Sequence, residues 1–226
     1  MENQTKGWGQ GKDVDDANRP TSCLTFQQKY EKYDAYFIGE NQKNVYLTFD
    51  EGYENGYTEK ILDVLKEKNC PAVFFVTMPY VKENPDLIRR MIDEGHVVGN
   101  HTVNHPSMPS VSVSEAKEEI AGLHDYVLQN FNYQMTLFRP PRGEWSERTL
   151  ALTQQLWYSS VFWSFAYRDW LTDDQPAQST ALQKTVASAH NGAIYLLHAV
   201  SSTNTAILGD FIDGVRAQGY AFGRLG

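Results

Sequence analysis

Residues 44–58 read NVYLTFDEGYENGYT. The run Val45-Tyr46-Leu47-Thr48-Phe49 is a block of β-formers that stops at two adjacent carboxylates, Asp50 and Glu51, followed by Gly52 and a Gly/Asn-rich turn. Such a run, closed by a polar turn, predicts a buried strand. Carboxylates at the tip of a buried strand are costly unless paired, solvated or metal-bound, so this tip is a candidate site. From Thr58 to Lys68, Ile61, Leu62 and Leu65 form an apolar helical stripe, with Thr58 as the expected N-cap.

Outward from this stretch, strand and helix keep alternating. Further strands are expected at 72–77 (AVFFVT), 97–101 (VVGNH), 136–140, 159–163, 193–198 (AIYLLH) and 220–225. Helices are expected at 84–94, with Pro85 in the first turn and Gly95 just past the end, and at 114–130, 146–156, 180–190 and 205–218. Ser114 is taken to open the second of these helices. Strand then helix about seven times, without an internal repeat, predicts an α/β fold with a parallel sheet, open or closed into a barrel. Upstream, residues 1–22 read as an irregular arm docked by Trp8, and Thr25–Phe37 as a short helix or wrapped turn. The organisation expected is an arm and short helix over 1–43 and one domain over 44–226.

The 226 residues, 41% hydrophobic, are enough for one sizeable core. A net charge of −8 without a basic stripe argues against nucleic-acid binding. No apolar run reaches the roughly 18–20 residues of a membrane span. The polar start, Glu2-Asn3-Gln4, shows no signal peptide, which fits a cytoplasmic protein or a mature exported domain. Cys23 and Cys70 fit one disulfide or two buried thiols.

The strand ends carry the chemistry. Asp50 and Glu51 end the first; His101 ends the third, with His105 four residues on; Arg139 ends the fourth. Trp163 ends the fifth, with Asp169 and Trp170 in the loop beyond, and His198 ends the sixth. These all fall on the C-terminal edge of a parallel sheet, where a barrel builds its active site from βα loops. His101 and His105, spaced i, i+4, would share one face of a helical turn, although Pro106 shortens or distorts it. Two histidines and a carboxylate make an open Zn²⁺ set, against the plainer reading of two exposed loop histidines. His198 is a candidate general acid or base, with Asp169 raising its pKa, against a satisfied core histidine. Arg139 is a candidate fork for Asp50, against a structural salt bridge. His96, His124 and His190 keep structural readings, and Asp173-Asp174 that of a solvated pair.

In order, TFDEG (48–52), HTVNH (101–105), RPPRG (139–143), Asp169-Trp170 and LLH (196–198) resemble the motifs of the NodB-type polysaccharide deacetylases, carbohydrate esterase family 4, over about residues 44–225. The fuller strings FDEGYENGYT, FWSFAYRDW and AIYLLHAVSSTN are most similar to the delta-lactam-biosynthetic de-N-acetylases of spore cortex. The resemblance implies a distorted, incomplete (β/α) barrel of about seven parallel strands, with 44–226 as catalytic domain. It implies metal-dependent de-N-acetylation of N-acetylmuramic acid in peptide-stripped peptidoglycan, releasing acetate and an amine that closes to muramic delta-lactam. It makes Asp50 the base, His198 the acid, Arg139 and Asp169 their tuning partners, and Glu51, His101 and His105 the metal ligands. Arg142, Trp163, Trp170, Pro141 and Gly143 become substrate-binding residues. The ion expected is Zn²⁺, with Co²⁺ or Mn²⁺ as alternatives. The partner is a peptidoglycan glycan strand, with no nucleic acid and no membrane span; the protein is expected as a monomer, exported to the cell wall or forespore intermembrane space, its signal or anchor segment absent from this chain.

Three positions depart from the family pattern. Glu51 stands where the third ligand is an aspartate, Arg142 where chitin-type relatives carry tyrosine, and Trp157 where glycine is common. The competing readings are a deacetylase acting on N-acetylglucosamine in peptidoglycan or chitooligosaccharides, and a metal-free, catalytically weak carbohydrate-binding domain.

Overall fold

The computed structural model describes residues 1–225; Gly226, the end of the expected catalytic domain, lies outside it. The strands, in chain order, are β1 (Lys6–Gly7), β2 (Ala35–Tyr36), β3 (Asn44–Glu51), β4 (Ala72–Val76), β5 (Val97–Asn100), β6 (Leu137–Phe138), β7 (Glu144–Trp145), β8 (Ser159–Val161), β9 (Ile194–His198) and β10 (Ala221–Phe222). The helices are α1 (Thr21–Tyr30), α2 (Thr58–Glu67), α3 (Met78–Glu83), α4 (Pro85–Asp93), α5 (Val113–Phe131), α6 (Glu147–Gln155), α7 (Gln178–Ala187) and α8 (Ser202–Ala217). Among the described residues, no helix is long and apolar enough to cross a membrane.

Seven parallel strands form a curled, incomplete barrel in the order β9-β3-β4-β5-β6-β8-β2, with β10 added beside the start of β3. Its two ends meet through a few bonds only. Ser164 N–H donates to Ile194 O (2.9 Å), Leu196 N–H to Phe165 O (2.8 Å) and Gly39 N–H to Gly192 O (2.7 Å). At the last contact both residues must be glycine: a Cβ on Gly192, at φ 73°, would lie 2.4 Å from Gly39 O.

The strand period of two sorts the core into layers. Val45, Leu47, Phe49, Phe74, Val76, Val98, Phe138, Tyr195 and Leu197 face the helices. Val73, Phe75, Val97, Leu137, Val161 and Ile194 fill the inside of the curl, against Tyr46. A third cluster, Trp8, Cys23, Tyr30, Phe37, Trp145 and Phe162, fastens the N-terminal arm to the barrel wall. Cys23 and Cys70 are both free and buried, the second of the two expected states, and burial pushes both thiols up to about 12.

Three local expectations change. The stretch Thr25–Phe37 is not one helix: α1 ends at Tyr30, a 3₁₀ turn follows, and 35–36 pair with β8, so part of the arm completes the sheet. Thr58 does not cap α2. The N-cap is Tyr57, with no side-chain cap bond; Glu54 Oε1 organises the preceding turn instead, accepting from the N–H groups of Gly56 (2.6 Å), Tyr57 (2.9 Å) and the first helical residue, Thr58 (3.3 Å). Ser112, not Ser114, caps α5, in a capping box with Glu115.

Candidate active site

The inner parity of the strands leads to one place. Continuing the inward series past each strand gives Asp50 on β3, His101 after β5, Arg139 after β6, Trp163 after β8 and His198 on β9. Of these, Asp50, His101, Trp163 and His198 line an open groove of about 1050 Å³, together with His105, Arg142, Gly143 and Trp170. Arg139 lies beneath its floor, fully buried.

Arg139 anchors the site. Its Nη1 donates to Asp50 Oδ1 (2.7 Å), its Nε to Val161 O (3.0 Å) and its Nη2 to Phe162 O (3.2 Å), while the guanidinium sits 4.2 Å over the Phe75 ring. A buried cation persists only with its charge and donors matched, and this one has both. Burial pushes the Asp50 carboxyl up, but the charge of Arg139, joined by those of His101 and His198 when they are protonated, outweighs it and holds the group below the usual carboxylate range. Asp50 is therefore ionised at neutral pH, with Oδ2 left toward the groove side, 3.6 Å from His101 Nε2.

Across the groove stands the opposite arrangement. His198 Nδ1 meets Asp169 Oδ1 at 2.7 Å, and His198 N–H donates to Asp169 Oδ2 at 2.9 Å. Burial pulls the His198 pKa down; the hydrogen bond and charge of Asp169, then the charge of Asp50, push it up and prevail. Asp169 is itself fully buried and held by Asn204, whose Nδ2 donates to Oδ2 (2.5 Å) and whose Oδ1 accepts from the Tyr167 hydroxyl. Asn204 and Tyr167 were not singled out from the sequence. The available signal was Ser201-x-x-Asn204: Ser201 caps α8 by accepting from the Asn204 N–H, which turns that side chain back toward the end of β9.

His101 and His105 do meet, but not on a helical turn. Thr102 and His105 take left-handed backbone (φ 75° and 56°), and the loop brings Nε2 to Nε2 at 3.1 Å. His101 Nδ1–H donates to Arg139 O (2.8 Å), which leaves its Nε2 lone pair toward His105 and Asp50. Burial lowers His101 to about 4 and lowers His105 as well, so both imidazoles are neutral, as metal ligation requires.

Glu51 is a correction. Its carboxylate does not join the histidines: one residue beyond Asp50 it has the opposite strand parity, points to the helix layer and lies 3.3 Å from the Thr58 hydroxyl on α2. It is fully buried, and its Oε2 has no partner. Burial, then the charges of Glu54 and Asp50, raise its pKa well above the usual range, favouring the neutral acid. Accordingly, among the described residues no three His, Cys, Asp or Glu side chains form a metal-holding group. What remains for a cation is the neutral nitrogen pair of His101 and His105, with Asp50 Oδ2 as the nearest carboxylate oxygen.

The expected substrate residues divide. Arg142, Gly143, Trp163 and Trp170 line the groove, and Trp170 packs 5.6 Å from the His198 ring. Pro141 does not; it is buried inside the 3₁₀ turn 141–143. Tyr53, Tyr167 and Trp8 join the lining without having been foreseen. His96, His124 and His190 are structural, bonding respectively to Ala72 N–H, the Tyr158 hydroxyl and Ser164. Asp174 is solvated and pairs with Arg168.

Against known proteins, the family profile described as polysaccharide deacetylase matches residues 38–161, more than half the chain. The chain belongs to the polysaccharide deacetylase family. Among its relatives, the peptidoglycan-N-acetylmuramic acid deacetylase PdaA of Bacillus subtilis is 42% identical over 222 residues, 97% of this chain and 84% of the relative. The solved structure of that protein, described as a family 4 carbohydrate esterase, superposes with a TM-score of 0.92 at 41% identity, covering 98% of this chain and 95% of the other. A chitooligosaccharide deacetylase of Rhizobium leguminosarum is 35% identical over 71% of this chain and 73% of its own. The curled seven-stranded half-barrel is thus that of a family 4 deacetylase, and the chain is a hydrolase of that class.

Proposed function

We propose that this polysaccharide deacetylase removes the acetyl group from N-acetylmuramic acid in peptide-stripped peptidoglycan strands, at the cell wall. The observation that carries the proposal is the pair of opposed titrating groups: Asp50, ion-paired to Arg139, pushed toward its ionised form, and His198, bonded to Asp169, pushed toward its protonated form, both facing one groove. Two groups whose surroundings push their pKa values apart are suited to act as base and acid.

Asp50 takes the proton of the attacking water as its oxygen bonds to the acetyl carbon. The oxyanion that forms is met by a backbone N–H of the 141–143 turn. Pro141 has none and Gly143 N–H is occupied by Pro140 O (3.1 Å), which selects Arg142 N–H. Protonated His198 then donates to the amide nitrogen as the C–N bond breaks, giving acetate and a free sugar amine. The neutral Nε2 atoms of His101 and His105 fit a divalent ion, Zn²⁺ by ligand type. Held there, it would polarise the acetyl carbonyl and acidify a bound water. Glu51 takes no part.

Muramic acid carries its lactyl carboxylate one ring carbon from the acetamido group, so its reader must stand beside the reacting centre. Arg142 does: it lines the groove, and its Nη2 lies 3.5 Å from His105 O. The test is acetate release from peptide-free glycan strands, with and without chelator and restored Zn²⁺, Co²⁺ or Mn²⁺. No acetate under any condition overturns the proposal. Faster release from chitooligosaccharides would move the substrate to N-acetylglucosamine.

A further inference from the structure

The N-terminal arm is a structural part of the groove. β1 pairs antiparallel with β7, directly after the 141–143 turn, and Trp8 N–H donates to Gly143 O (2.9 Å). The Trp8 indole is sunk among Phe26, Phe37 and Phe162, and its Nε1–H donates to Trp163 O (2.9 Å). Two residues on, Gln10 bonds in both directions: its Oε1 accepts from Trp163 Nε1–H (3.2 Å) and its Nε2 donates to Ala166 O (2.9 Å). The Trp163 indole is also wedged against Gly143, where a Cβ, at φ 66°, would come within 2.7 Å of the ring.

Trp163 is therefore a groove aromatic held by its N–H, its backbone carbonyl and its ring edge at once. A half-buried indole with its N–H tied presents a fixed apolar face, and fixing it beforehand removes ordering cost from binding. That face borders the turn that carries Arg142. The matched family segment, 38–161, contains neither the arm nor Trp163.

We propose that Trp8 and Gln10 hold Trp163 as the platform of a second sugar subsite, which takes the residue next to the one deacetylated. The proposal rests on the glycan reading above. Gln10 is a positioning residue: it reaches the substrate only through Trp163.

The test compares wild type with Gln10→Ala and Gln10→Glu on long peptide-free strands and on free N-acetylmuramic acid, with melting curves to establish folding. Loss of the tie is expected to raise KM for strands about five-fold, the effect of one hydrogen bond, with less than about two-fold change in kcat or on the single sugar. Gln10→Glu keeps the acceptor for the indole N–H and is expected to restore strand KM to within about two-fold. Trp163→Phe, which keeps a ring but loses the N–H and part of the face, is expected to raise strand KM at least as much as Gln10→Ala, and the double variant to be no worse than Trp163→Phe alone. Equal changes on strand and single sugar, or none on either, overturn the proposal. Calorimetric binding of strands separates it from the reading it rests on: if acetate is never released but Gln10→Ala still weakens strand binding about five-fold, the subsite stands and the deacetylation assignment falls.

Discussion

Asp50 and Glu51 are consecutive carboxylates on one strand, and the sheet separates their chemistry. On the inner face Asp50 meets Arg139 at 2.7 Å and the edge of a solvent-filled groove, and its pKa falls. On the outer face Glu51 meets Thr58, Glu54 and the apolar helix layer, has an unpartnered oxygen, and its pKa rises. The same functional group one residue apart is thus a usable base in one setting and a buried neutral acid in the other. Compensating charge on the groove side, and its absence in the apolar layer where burial acts unopposed, make the difference.

The largest effect should come from the inner face. Asp50→Asn keeps the shape and removes the proton acceptor, and should lower kcat about 1,000-fold while the fold survives by circular dichroism. Turnover near wild type would break the comparison at its root. Next, His101→Ala and His105→Ala should each reduce bound metal to below about one tenth of wild type by elemental analysis, whereas Glu51→Gln should retain it. Metal lost with Glu51→Gln but kept without the histidines would return Glu51 to the site.

Asp169→Asn should cost about 100-fold in kcat and also move its alkaline limb. The sign follows from His198: its raised pKa keeps it protonated to higher pH, and without the Asp169 charge burial dominates and the pKa falls. The proton is then lost earlier, so the limb should shift to lower pH; an unmoved limb would dissociate Asp169 from the acid. Arg142→Ala should raise KM about ten-fold for lactyl-bearing substrate and little for N-acetylglucosamine strands. Equal losses on both would remove Arg142 from lactyl recognition.

The smallest effect belongs to the outer face. Glu51→Gln should leave kcat within about three-fold. It should raise Tm by about 2–4 °C at pH 8 and not at pH 4. A group whose pKa is raised by folding stabilises below its ordinary pKa and loses that contribution as pH climbs through the folded value, here against Glu54, Asp50, Thr58 and Tyr80. An amide removes that loss. A lower Tm at pH 8 would mean that Glu51 is charged and partnered after all.

Much of this was legible before folding. The strand from Asn44, the runs AVFFVT and AIYLLH, and the helices from Pro85 and through 114–130 were readable because each is long and strongly patterned. Short elements were not: β2 is two residues, visible only because β8 pairs with it, and α3 is a six-residue helix. Asn204, Tyr167 and Gln10 were not legible either, because each acts on a partner far along the chain: Asn204 reaches Asp169 across 35 residues and Gln10 reaches Trp163 across 153. Trp157, 89% exposed, has φ 64°, a backbone that favours glycine, and nothing in the structure explains the tryptophan.

Local order along the chain settled the alternation, the parallel sheet and the gathering of Asp50, His101, Arg139 and His198 at one sheet edge, because strand period and strand ends are properties of neighbouring residues. Even Glu51 carried a local warning in its parity. Only the tertiary structure decided the protonation of those groups, the shape of the His101–His105 loop and the arm's place in the groove wall. Charge pairing, desolvation and long-range hydrogen bonds depend on which distant residues the curl of the sheet brings within about 3 Å.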